Sequence, residues 1–277
     1  MLERILLFRD ALLGALIIAV TCSMLGVYIV LRRIVFVGAA LAQISSAGVA
    51  LALWLSGIAW AQSIGSHPTA LALAVTLAGV LLLGLEAERA IVPKDAAIGI
   101  AYAMSGALGI LLVAKATVDE AHDIFLQGSI LGITPGDIGV LVAAAVPVVV
   151  LQVGFSRQIL YTSFDPETAR TLGYRVRFWD LSFYLALGLA IAAAMQFAGV
   201  LLVFSYLVLP AVTALLLART MPGAIGLSVA AAILATIVGF ALSVTYDLPT
   251  APAIAACGGA LAVLVWSIRA VKGVGRG

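Results

Sequence analysis

The chain has 277 residues, of which 64% are hydrophobic and 10% charged, and its formal net charge is +2. A soluble domain is about half apolar and about a quarter charged, so this composition excludes a water-soluble globular protein and requires lipid as solvent. The basic residues stand singly between apolar runs, which excludes a nucleic-acid-binding stripe.

A helix needs about 20 apolar residues to cross the hydrocarbon core. Residues 11–31 carry no charge and end in Arg32-Arg33. A signal peptide has a shorter apolar stretch with its positive flank on the other side, so this run is expected to be the first retained helix. Residues 34–85 are also free of charge and too long for one crossing. Breakers at Ser56-Gly57 and Gly65-Ser66-His67-Pro68 divide them in two. Runs at 96–114, 138–156, 181–218, 220–246 and 248–268 follow, and Gln196-Phe197-Ala198-Gly199 splits the longest of them. None alternates as a membrane-barrel strand does. The fold class expected is an all-α polytopic bundle of about 8–9 spans, forming one domain over residues 1–277. Cys22 and Cys257 lie inside apolar runs and read as small core residues.

Alternating the spans with Arg32-Arg33 in the cytoplasm places twelve of the fifteen basic residues on that side; only Arg4, Arg9 and Lys115 lie opposite. The N-terminus is then outside and the C-terminus inside. No Asp, Glu, Lys or Arg sits well within a span. Proton-driven carriers and voltage sensors place ionisable groups there, so both are disfavoured. A phosphate-binding loop of the Gly-x-x-x-x-Gly-Lys-Ser/Thr type is absent from the sequence. Any ATP hydrolysis, with its Mg²⁺, is therefore assigned to a partner subunit, and no cofactor is expected in this chain.

The longest cytoplasmic loop, about 157–179, contains a short helix with its own punctuation. Asp165 fits the N-cap, Pro166 the first helical position, Glu167 the positive helix start and Gly173 the left-handed stop. Arg170 lies between them. Taken alone, these features describe a self-capped surface loop. Residues 38–48 form the densest small-residue segment. That pattern suits a tight helix interface or the lining of a path, with Gln43, Ser45 and Ser46 as its polar members.

At these residues the chain resembles the permease subunits of the zinc- and manganese-type family of bacterial ABC importers. Val30-Leu31-Arg32-Arg33 precedes the Gly38 helix, and Gly128-Ser129-Ile130-Leu131 precedes the long-loop span. Ser163-Phe164-Asp165-Pro166-Glu167 with Ala169, Leu172 and Gly173 forms the cytoplasmic signature. Gly199-Val200-Leu201-Leu202-Val203 is followed by Leu209-Pro210-Ala211. The resemblance implies an inner-membrane homodimer surrounded by lipid, two ABC ATPase subunits below it and an extracytoplasmic substrate-binding protein outside. It also makes 165–173 the coupling helix. The family carries Gly-Asp-x-x-x-His in the helix after the double arginine, where this chain has Ala39 and Gln43. A neutral carboxamide is a poor replacement for an imidazole or a carboxylate at a transition metal. Three readings follow: a divalent metal is held elsewhere, the path has no ligand site and the binding protein sets selectivity, or the cargo is a metal-containing solute. Import of a non-metal polar solute, or a gradient-driven carrier or channel, is the alternative.

The remaining polar candidates lie toward the outer side. His122 and Asp123, in Asp119-Glu120-Ala121-His122-Asp123, have metal-binding chemistry, though a solvated charge run accounts for them too. His67 reads as a turn residue and Asp247 as an outer-end polar residue, while Gln196, also at an outer end, joins Ala39, Gln43, Ser45 and Ser46 in the expected substrate pathway. An intramembrane aspartyl protease would need paired aspartates in mid-membrane. Gly136-Asp137 and Tyr246-Asp247 lie at span ends and in the wrong order.

Overall fold

The protein is described from a computed structural model covering residues 8–58, 68–85, 93–115 and 130–274. Among these residues all regular structure is helical. Arg9–Leu31 (α1), Val35–Ser56 (α2), Pro68–Leu85 (α3), Lys94–Lys115 (α4) and Pro135–Gly154 (α5) come first. Ser156–Phe164 (α6), Pro166–Thr171 (α7), Val176–Leu217 (α8), Met221–Tyr246 (α9) and Thr250–Val274 (α10) follow. One 3₁₀ turn, Ile130–Gly132, precedes α5. Seven of these helices are long and apolar enough to cross a membrane, namely α1, α2, α4, α5, α8, α9 and α10, while α3 is apolar but shorter.

The helix ends fall where local chemistry places them. Thr134 and Asp137 form a reciprocal capping box at the start of α5, and Thr220 caps α9 through the Gly223 N–H. At the end of α1 the chain reverses through Arg33, whose φ is 58°. The Ile34 N–H bonds back to the Ile29 carbonyl and the Arg33 N–H to that of Val30. This is the Schellman arrangement with arginine where glycine is usual.

The α8 segment is 42 residues long but is not a straight rod. Gly199 has φ 70° and ψ 168°, which breaks the helix there. Phe183 packs edge-on against Tyr28 of α1 at 6.1 Å between ring centroids. Leu207 meets the same helix at Gly26, where a Cβ would stand 2.0 Å from the Leu207 carbonyl oxygen. A straight helix would separate Phe183 from Leu207 by about 36 Å. The chain therefore folds back at Gly199, and both halves pack on α1.

The other contacts fix the relative directions. Gly48 approaches Ala72 and Val75 while Gly79 approaches Ile44, so α2 and α3 are antiparallel. Gln43 lies over Gly106, and Ala50 packs with Val113, so α2 and α4 are parallel. One end of the bundle gathers Arg32, Ser163 and Asp180. The side chain of Arg269 donates to the Leu216 carbonyl, joining the ends of α10 and α8. Thr69 donates to the Gln196 carboxamide oxygen at 2.8 Å, near the Gly199 break. Buried residues of α1, α2 and α8 form the centre of the core, whereas α4 and α5 expose Met104, Leu111, Val146 and Val153. In water such faces would be unstable; in a bilayer they meet lipid or another helix.

Candidate functional site

The residues expected to line a path do not share one face. Successive residues of a helix are about 100° apart, which separates Gln43 from Ser45 by roughly half a turn of the helix wheel. Ala39, Gln43 and Ala47 are half-buried and form, with the exposed Phe36, the most open stripe of α2. Ser45 and Ser46 are 0% and 1% exposed. Ser45 lies two helical turns beyond Gly38, whose Cβ position is 3.0 Å from Leu207, and so belongs to the side facing α8. Ser46 is on the flank nearer Gln43. Gln196 is held in its hydrogen bond with Thr69 of α3.

Polar atoms on this helix lack partners. The Gln43 Oε1, Ser45 Oγ and Ser46 Oγ atoms are buried with no hydrogen bond among the described residues, and so are both amide atoms of Gln152 on α5. A buried polar atom without a partner costs about 1–3 kcal/mol, so packing alone does not explain them. Ala39 offers only a methyl group. The stripe therefore carries a neutral carboxamide, its oxygen buried and its side chain against α4 at Gly106, and no anionic ligand.

At the end of the bundle that holds Arg32, α6 and the start of α8 form the arms of a hairpin with α7 at its tip. The Asp165 carboxylate accepts from the Thr168 N–H at 3.0 Å and from the Thr168 hydroxyl. Pro166 occupies the first helical position. The helix closes with the Gly173 N–H on the Arg170 carbonyl and the Tyr174 N–H on that of Ala169, with Gly173 at φ 83°. Both caps expected from the sequence are thus present. The Thr168 hydroxyl, and next the Thr168 N–H, hold the Asp165 carboxyl below its usual 3.8.

Below α7 the hairpin is zipped by rings. Tyr161 stacks on Tyr174 at 6.1 Å, and Phe155 packs on Trp179 at 5.0 Å. Of α7 itself only Ala169 is buried; Glu167, Arg170, Leu172 and Gly173 are exposed, with Phe164 and Phe178 open beside them. The expected loop at 157–179 is therefore mostly helical, formed from α6, α7 and the first turn of α8.

The model of the ABC 3 transport family matches residues 5–269 of the chain. The chain belongs to that family. The manganese transport system membrane protein MntC of Halalkalibacterium halodurans is 29% identical over 269 residues, covering 96% of this chain and 88% of that protein. The manganese import system permease protein ScaB of Streptococcus gordonii is 32% identical over 241 residues, covering 86% and 83%. The solved structure of PsaBC from Streptococcus pneumoniae in complex with Fab superposes with a TM-score of 0.81 at 26% identity, covering 93% of this chain and 90% of that one. The chain is a membrane permease of the ABC transporter type and a multi-pass protein of the cytoplasmic membrane.

Two acidic residues weighed as protease-like are accounted for structurally in this ABC 3 permease. Asp137 closes the Thr134 capping box, and Asp247 ends α9 in the left-handed conformation. His67, His122 and Asp123 lie outside the described residues, and among the described residues no cluster of three potential metal ligands occurs. Sequence reasoning missed α6, the orphaned Gln152, and the contacts of Arg32 with Ser163 and Asp180. Arg32 and Asp180 are 148 residues apart, and no local pattern signals such a pairing.

Proposed function

We propose that this permease forms the path of an ATP-driven importer for a divalent metal of the manganese or zinc type, or for a solute containing one. In this reading the helices make eight or nine crossings, because the two halves of α8 count separately and α3 adds the ninth. The arginine-rich end faces the cytoplasm. The α7 segment is the coupling helix, seated on an ABC ATPase subunit that binds and hydrolyses ATP with Mg²⁺. Two copies of the chain pair around a central path lined by the Ala39–Gln43 stripe, and a substrate-binding protein delivers cargo from outside.

The observation that carries this reading is α7. It is a six-residue helix capped at both ends and tied down by the hairpin beneath it, yet almost fully exposed. Such a helix is a rigid projection with its outer face uncovered among the described residues. The relatives named for manganese transport support the metal assignment. The neutral stripe favours a cargo whose charge is partly masked by its own ligands, since stripping a dication of water beside a carboxamide is poorly compensated.

Reconstitution with the ATPase subunit and the binding protein tests the proposal. Labelled manganese, zinc and iron are each supplied bare and with chelators. ATP-dependent uptake of one of them is expected. Uptake by the permease alone, without ATP, would instead establish a gradient-driven carrier or channel. The pair Ala39→Asp with Gln43→His sharpens the assignment: if only this variant moves bare metal, the native cargo is a complexed one.

A further inference from the structure

We propose that Arg32 is the positioning residue that locks both stems of α7 to the core of the bundle and so passes the movement of α7 to α1. The proposal rests on the reading of α7 as the ATPase-docking helix.

Arg32 sits at the C-terminal cap of α1, with its side chain 9% exposed. Its Nε donates to Ser163 Oγ at 2.8 Å, and its Nη1 donates to Asp180 Oδ1 at 2.8 Å. Ser163 belongs to α6, three residues before the start of α7. Asp180 belongs to the first turns of α8, the stem on the other side. The planar guanidinium also lies over the Phe183 ring, its central carbon 4.3 Å from the ring centroid. One side chain of α1 therefore holds both arms of the hairpin, by bonds that leave it in different directions. The Ser163 hydroxyl in turn donates to the Ile159 carbonyl, which ties the grip into the backbone of α6.

Other features argue that this grip does more than fill space. A buried charge costs desolvation energy that an apolar contact avoids, and its partner Asp180 is 37% exposed at the side chain. Arginine offers a rigid planar fork for two separated acceptors, where lysine offers one flexible point charge. Nη2 is buried and has no partner among the described residues, which leaves one donor for a second arrangement of the same acceptors. Beyond Arg32, the Gly26 position of α1 leaves no room for a Cβ against the Leu207 carbonyl, so α1 and the second half of α8 are in direct backbone contact. The route runs from α7 through Ser163 and Asp180 to Arg32, and from there along α1 to the α8 reversal.

The test uses the full permease assembled with its ATPase subunit in lipid nanodiscs and needs no knowledge of the cargo. Ala39→Cys, in a background with Cys22→Ala and Cys257→Ala, reports access to the open stripe of α2 through its rate of labelling by a water-soluble maleimide. With Arg32 present, ATP is expected to change that rate. In Arg32→Gln the ATPase subunit is expected to stay bound and hydrolyse ATP, while the ATP-driven change in labelling shrinks about tenfold. Arg32→Lys is expected to keep part of the response, and Ser163→Ala and Asp180→Asn to lose part of it each. An unchanged response in Arg32→Gln overturns the proposal. Should that variant fail to assemble, unchanged responses in both Ser163→Ala and Asp180→Asn overturn it equally. Failure of the underlying reading looks different. An ATPase subunit that stays bound when Asp165 and Glu167 are both replaced by lysine removes the docking role of α7, and the proposal with it. A background that never responds to ATP has the same consequence.

Discussion

The α7 hairpin and the open stripe of α2 treat their polar groups in opposite ways. In the hairpin, the Asp165 carboxylate, the Thr168 hydroxyl and the last helical carbonyls are bonded within a few residues of themselves. The helix is complete before any partner arrives and can act as a stiff lug. On α2, the Gln43 oxygen is buried and, among the described residues, unbonded beside the bare methyl of Ala39. That surface is incomplete on its own and suits transient contact with something that moves past. A docking element gains from being preorganised, whereas a path gains from groups that no neighbour already holds.

The largest expected effect comes from breaking the preorganised side. Replacing Asp165 and Glu167 together by lysine removes the N-cap and places positive charge at the positive end of a helix dipole. Co-purification of the ATPase subunit is expected to be lost, and ATP-dependent uptake to fall to background. On the other side, Gln43→Leu removes the unpartnered carboxamide. Stability toward heat in detergent is expected to hold or to rise by about 1–3 kcal/mol. Uptake is expected to drop about tenfold, the equivalent of one lost hydrogen bond to a passing solute. A fall in both stability and uptake would mean that Gln43 serves packing. Gly173→Ala is milder. An L-residue in the left-handed region costs about 1–2 kcal/mol, so docking of the ATPase is expected to weaken several-fold without being abolished, as read by titration of the subunit onto the permease.

The two regions also differ in how far the sequence foretells them. The caps of α7 are legible because each is a contact between residues at most five apart. The Gly199 break is legible as a breaker in a run too long for one crossing. Arg32 is legible only as a topological marker, since its partners lie 131 and 148 residues away. Arg33 hides its own turn, because the left-handed position after a helix normally announces itself by glycine. The α6 helix is hidden because an apolar span simply continues into it through Phe155 and Ser156. On α2 the periodicity of the helix already separates Ser45 from Gln43, but small polar residues close in sequence read as one group until the neighbouring helices are placed. Chemistry written within one helical turn survives translation from sequence to structure; chemistry that depends on which helices meet does not.

The smallest expected effect sharpens the electrostatics of the α7 cap. The Asp165 carboxyl is held below its ordinary 3.8, first by the Thr168 hydroxyl and then by the Thr168 N–H. A carboxylate with a depressed folded value contributes stability above its unfolded value and loses it as pH falls through the folded one. Hydrogen-exchange protection of the Thr168 amide, corrected for the intrinsic exchange rate, is therefore expected to stay level from neutral pH down to the ordinary carboxylate value. It should decline only below that. Thr168→Val deletes the hydroxyl, the larger cause, and keeps the amide. The level part at neutral pH is then expected to be lower, and the decline, still beginning at the ordinary carboxylate value, to be smaller and to end at a higher pH. Protection that instead weakens near neutral pH in the unaltered protein would mean that α7 is not held by this carboxylate, and that the stiffness assigned to the hairpin comes from the Tyr161–Tyr174 and Phe155–Trp179 ring contacts alone.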